Sequence, residues 1–115
     1  MNAQLKAQEI YTLDPQASLE DKIKTLLSEP YILFMKGNDA VPQCGFSANS
    51  CRLLHLSNIP FKTYDILKDP EIRSGLKEYS QWPTYPQFYA KGELLGGNDI
   101  LTEMYQQGQL AQLRS

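Results

Sequence analysis

With two cysteines, one histidine and no excess of basic charge, this 115-residue chain leaves few chemistries open. Cys44 and Cys51 fall on what reads as one helix, ~10 Å apart along its axis, too far to form a disulfide without unwinding it. That argues against a secreted disulfide scaffold and for a reducing compartment, with the cytoplasm as the default. Eleven basic against thirteen acidic side chains, a formal net charge of -2, provide no general attraction to phosphate backbones, so no nucleic-acid partner is expected. No apolar run is long enough to span a membrane. His55 reads as a lone surface imidazole without a second ligand beside it, which is not a zinc site. Residues 1–17 lack an apolar signal core and contain no arginine, so they resemble neither a secretory nor a mitochondrial leader and read as a flexible tail. Residues 18–115 then form one domain, and 42% hydrophobic content is enough for a real core.

What is present is an alternation of helical and strand patterns. Ser18-Leu19-Glu20-Asp21 resembles a capping box, and Leu19, Ile23, Leu26 and Leu27 follow at helical spacing until Pro30. Tyr31 to Met35 is a continuous apolar run suited to a strand covered on both faces, closed by Lys36-Gly37-Asn38-Asp39. Phe46, Ser50, Leu53 and Leu54 share one side of a second helix that fades near Asn58-Ile59-Pro60. Phe61 to Ile66 reads as a strand, and Pro70 opens a third helix to about Ser80. Gln87 to Ala90 and a partner ending at Leu95 flank a Lys91-Gly92 turn, and Gly96-Gly97 leads into a last helix ending near Gln107. This order predicts an α/β sandwich of thioredoxin-like type, a central four-stranded mixed sheet flanked by helices.

The chemistry concentrates at Cys44-Gly45-Phe46-Ser47. A cysteine at a helix start faces the unsatisfied amides of Gly45, Phe46 and Ser47 and the positive end of the helix dipole, so its thiolate is stabilised as a nucleophile or metal ligand. Gly45 is expected to let the backbone turn closely beside the sulfur, and the Ser47 hydroxyl to donate to it. Ser47 also stands where a Cys-x-x-Cys oxidoreductase carries its resolving thiol. Three further stretches converge on Cys44 in such a fold. In Trp82-Pro83-Thr84-Tyr85-Pro86, a cis Tyr85-Pro86 bond would leave the Tyr85 backbone free to pair with an extended peptide. Gly96-Gly97-Asn98-Asp99 offers helix-start amides to a carboxylate and the Asp99 side chain to an ammonium group. Lys36, Arg73 and Lys77 suit a second carboxylate. Each stretch also has a plainer reading: a proline-rich turn, a Gly-Gly turn with Asn98 as N-cap, and solvated surface charge.

In this order and spacing, Lys36, Cys44-Gly45-Phe46-Ser47, Trp82-Pro83-Thr84-Tyr85-Pro86 and Gly96-Gly97-x-Asp99 closely resemble the single-domain monothiol glutaredoxins of the CGFS type, over about Ser18 to Gln109. The resemblance implies a glutathione groove, with Lys36 and Arg73 on the glycine carboxylate, the Tyr85 backbone on the cysteinyl portion, and Asn98 and Asp99 on the γ-glutamyl end. Asn98 departs from the many members that carry a second cysteine there; because that contact is expected through the backbone, binding should survive. A 2Fe-2S cluster needs four ligands, usually thiolates. One chain offers Cys44 alone, so two chains and two glutathiones complete the set, a cluster bridging a homodimer. The resemblance points the same way, to cluster delivery to apo iron-sulfur acceptor proteins and to BolA-like partners. The rival reading is a glutathione-dependent thiol-disulfide oxidoreductase, in which Cys44 takes glutathione from a glutathionylated protein and a second glutathione releases it.

Overall fold

A computed structural model describes residues 6–11 and 13–114. Its organising element is the apolar run Tyr31–Met35, all five residues of which are buried. Strand alternation sends Ile32 and Phe34 to one face of the sheet and Tyr31, Leu33 and Met35 to the other. A strand apolar on both faces needs cover on both sides, and two helical layers provide it. Helices α1 (Leu19–Leu27) and α3 (Pro70–Ser80) bring Ile23, Leu26, Ile72 and Leu76 to the first face. Helices α2 (Gly45–Leu56) and α4 (Asn98–Gln106) bring Leu53, Leu54 and Leu101 to the second, joined by Leu110 from a closing 3-10 turn, Leu110–Arg114. Phe34 sits edge-on to Tyr64 and Tyr89, with ring centroids 6.1 and 5.4 Å away, so truncating it to alanine would cost about 3–5 kcal/mol.

Among the described residues the sheet has five strands rather than the expected four. They are β1 (Gln8–Glu9), β2 (Tyr31–Met35), β3 (Lys62–Asp65), β4 (Gln87–Ala90) and β5 (Glu93–Gly96), in the spatial order β1-β3-β2-β4-β5. β1, β3 and β2 run parallel, while β4 is antiparallel to β2 and to β5. The extra strand lies within the stretch expected to be a flexible tail, of which residues 1–5 and Thr12 lie outside the described residues. The Ile10 amide donates to the Thr63 carbonyl at 2.8 Å and the Ala7 amide to Asp39 Oδ2 at 2.7 Å, while Ile10 and Leu13 pack against the core. A two-residue strand held by backbone contacts has no alternation for a sequence pattern to reveal.

Among the described residues the four α-helix starts are of two kinds. Ser18 caps α1, its Oγ accepting the Asp21 amide at 3.1 Å, and Asp69 caps α3 by accepting the Ile72 amide at 3.1 Å ahead of Pro70. The residues at the N-cap positions of α2 and α4 are Cys44 and Gly97, and neither start has a side-chain cap. The first-turn amides of α2 are thereby left to face the Cys44 sulfur, and those of α4 are left without a side-chain cap.

Candidate functional site

Both uncapped helix starts open on one groove of about 530 Å³. Cys44 lies on its wall in extended backbone conformation, φ -155° and ψ 136°. Its thiol pKa is held below the ordinary 9.0, first by the Ser47 amide, then by the Phe46 amide, the Lys36 charge and the Ser47 hydroxyl, with burial opposing. Ser47 is fully buried, and its Oγ also accepts the Lys36 amide at 3.2 Å. One hydroxyl thus ties the end of β2 to the first turn of the thiol helix. Gly45 differs from expectation: it lacks a positive φ, and a Cβ there would meet nothing within 4 Å. The glycine that the approach to Cys44 requires is Gly37, at φ +85°, where a Cβ would lie 2.5 Å from the Val41 carbonyl oxygen.

The groove gathers all the other sequence-derived positions: Lys36, Arg73, Lys77, Tyr85, Asn98 and Asp99. Arg73 and Lys77 stand one turn apart on α3. The orientation of α3 is set by Asp69, which also accepts the Tyr64 hydroxyl at 2.6 Å, and by Tyr85, whose hydroxyl donates to the Arg73 carbonyl at 2.8 Å. The Tyr85 side chain is therefore core and a prop for α3, leaving only its backbone to face a ligand. The Tyr85-Pro86 bond is cis, as expected. Buried Gln87 shapes the loop before it, its Nε2 donating to the Trp82 and Thr84 carbonyls at 3.0 and 3.2 Å. Trp82 Nε1 is shut from solvent without a hydrogen-bond partner among the described residues, and a Cβ on Gly97 would lie 3.6 Å from it and 3.0 Å from the Pro86 carbonyl oxygen. Gly97 is therefore what lets the start of α4 approach the proline loop.

Asn98 is not the N-cap of α4. It is the first helical residue, and its Oδ1 accepts from Asn49 Nδ2 at 2.9 Å and Ser50 Oγ at 3.0 Å on α2. This link went unread in the sequence, although a small polar residue such as Ser50 within an otherwise apolar helix stripe was a usable signal.

Cys51 is remote from this chemistry. It is 3% exposed, its Sγ lies 3.5 Å from Met35 Sδ, and burial followed by the Asp39 charge pushes its thiol pKa far up. His55 is not the lone surface imidazole expected: its side chain is largely buried, its Nε2 lies 2.6 Å from Asp39 Oδ2, and its ring stands edge-on to Phe61. Among the described residues no group of three His, Cys, Asp or Glu side chains is placed to hold a metal ion, and no helix is long and apolar enough to cross a membrane.

A mixed sheet carrying one activated thiol at a helix start, opposite a proline loop, is how thiol proteins of the thioredoxin fold are built. This chain belongs to the glutaredoxin family, whose profile matches residues 31–95. A Synechocystis protein named uncharacterized monothiol glutaredoxin ycf64-like is 54% identical over 82 residues, covering 71% of this chain and 77% of that one. Glutaredoxin-3 of Bos taurus is 47% identical over 106 residues, 90% of this chain, but this chain spans only 32% of that longer protein. Among solved structures, reduced apo GrxS14 of poplar in solution superposes with a TM-score of 0.71 at 44% identity, over 82% of this chain and 91% of that one. With Ser47 in place of a second thiol, the site is of the monothiol kind.

Proposed function

We propose that this protein binds glutathione in the groove beside Cys44 and carries a 2Fe-2S cluster as cargo, shared between two copies of the chain. The observation that carries this reading is the pair of helix starts on one groove: α2 presents the Cys44 thiol, its pKa lowered, and α4 presents amides with no side-chain cap on the same lining. Glutathione has two carboxylates and an ammonium group at opposite ends. Arg73 with Lys36 suits the glycine carboxylate, the α4 amides suit the γ-glutamyl carboxylate, and Asp99 suits the ammonium group. The donor set fits the cluster only by sharing. Each copy has one accessible thiol, since Cys51 is buried, so two copies and two glutathiones would make up the four thiolate ligands. Half of the ligands are then noncovalently held, which favours release to apo iron-sulfur acceptor proteins or to a BolA-like partner. A reducing, cytoplasmic setting keeps Cys44 available.

The lowered Cys44 pKa also favours a second reading. Its thiolate attacks the glutathione sulfur of a glutathionylated protein, the protein thiolate leaves, and a second glutathione takes the first as oxidised glutathione, restoring the thiol. Anaerobic reconstitution with iron, sulfide and glutathione separates the two. Visible absorption with a dimer that reverts to a colourless monomer on chelation is expected, lost in Cys44→Ser and kept in Cys51→Ser. A coloured monomer, or a dimer retained after chelation, would overturn the carrier reading.

A further inference from the structure

The two helices that open on the groove are joined through one side chain. Asn98 Oδ1 accepts from both Asn49 Nδ2 and Ser50 Oγ, in the second turn of α2. The arrangement has a fixed polarity. Arg52 donates to Asn49 Oδ1, from Nη2 at 2.9 Å and Nε at 3.3 Å, which turns the Asn49 amide nitrogen toward Asn98. Ser50 is fully buried, so its hydroxyl has few alternatives. Both neighbours donate, and the residue at 98 must accept. A side chain used in this way is unavailable to cap its own helix, and the N-cap position falls to Gly97 with no side-chain oxygen at all. The same two bonds that tie α4 to α2 therefore leave the α4 amides open to a ligand.

We infer that Asn98 is a positioning residue for glutathione: through Asn49 and Ser50 it holds the amide cradle of α4 at a set distance from the thiol helix, the distance that the tripeptide must span. The inference rests on the glutathione reading of the groove. It gives Asn98 a task carried by its side chain, besides the backbone contact expected of that position. Cys44 itself lies outside the link: the Ser47 and Phe46 amides, the Lys36 charge and the Ser47 hydroxyl lower its thiol pKa, and Asn98 is not among the groups that do so.

The test is calorimetric titration with reduced glutathione of the full chain, of Asn98→Ala, of Asn49→Ala and of the double variant, each alongside a thiolate absorbance titration of Cys44. Asn49 is only half-buried, so its replacement removes one donor without opening the core. Asn98→Ala is expected to bind glutathione about tenfold more weakly and Asn49→Ala about threefold, with the double variant no weaker than Asn98→Ala, because the pair acts as one contact. The Cys44 titration should be the same in all four. A merely structural role would lower the melting temperature and leave affinity unchanged well below it. Undiminished affinity in Asn98→Ala would overturn the inference alone, as would full additivity in the double variant or a Cys44 titration that moved in step with affinity. Failure of the unmodified chain to bind glutathione would overturn the glutathione reading and this inference with it.

Discussion

Replacing Ser47 with alanine separates two tasks that one buried hydroxyl performs. Its Oγ accepts the Lys36 amide at 3.2 Å, and its proton is directed at the Cys44 sulfur. Alanine takes the acceptor from the Lys36 N–H at the part-buried end of β2, which costs about 0.5–1.5 kcal/mol of folding stability. The sulfur loses one donor but keeps the one that matters most, the Ser47 amide, together with the Phe46 amide and the Lys36 charge. The thiol pKa should therefore rise in Ser47→Ala and still remain below 9.0, the value of an unassisted cysteine. Urea unfolding measures the first effect and thiolate absorbance against pH the second. A titration at or above 9.0 would show that the hydroxyl, rather than the helix-start amides, holds the thiolate, and the account of the site built on uncapped helices would fail.

The two cysteines should react very differently: brief alkylation of native protein is expected to label Cys44 and spare Cys51, with Cys51 labelled only in denaturant, as peptide mass spectrometry would show. Because the folded pKa of Cys44 lies below its unfolded value of 9.0, its contribution to stability is complete above pH 9.0 and fades as pH falls through the folded value. Unfolding free energy measured between pH 6 and 10 should accordingly climb more steeply for the unmodified chain than for Cys44→Ser, and parallel curves would contradict this. Burial opposes ionisation of Asp39, but hydrogen bonds from the Ala7 amide and His55 outweigh it and keep its pKa below 3.8. Asp39 should thus stabilise the fold fully above pH 3.8 and lose that effect in stronger acid, so Asp39→Asn is expected to flatten the acid limb of the stability curve.

Regular elements were legible in the sequence where side-chain periodicity writes them. Pro70 and Ser80 bound α3 as read, Ser18 caps α1, and the run Tyr31–Met35 is the central strand. The groove residues were legible as a set only through the expected fold, which brings Cys44, Trp82-Pro83-Thr84-Tyr85-Pro86 and Gly96-Gly97 together; each stretch alone also had a plainer reading. What could not be read were contacts between segments far apart in the chain. Asp39 looked like a turn residue, yet it meets His55 and Ala7; Asn98 looked like an N-cap, yet it reaches α2; the Tyr85 ring gave no sign that it would turn inward to Arg73. A polar side chain at a loop or helix start has local and distant partners of similar strength, and only the packed fold decides between them.

The short strand β1 does more than add a row to the sheet. β3 is flanked by β2 on one side and by Gln8–Glu9 on the other, where Gln8 stands opposite Lys62 and Glu9 opposite Thr63. A chain shortened to start at Ser18 would keep every groove residue but expose the outer row of β3 amides and carbonyls, a ready template for a strand of another molecule. Such a shortened protein would be expected to self-associate through that edge whether or not iron is present, giving a dimer easily mistaken for one bridged at Cys44.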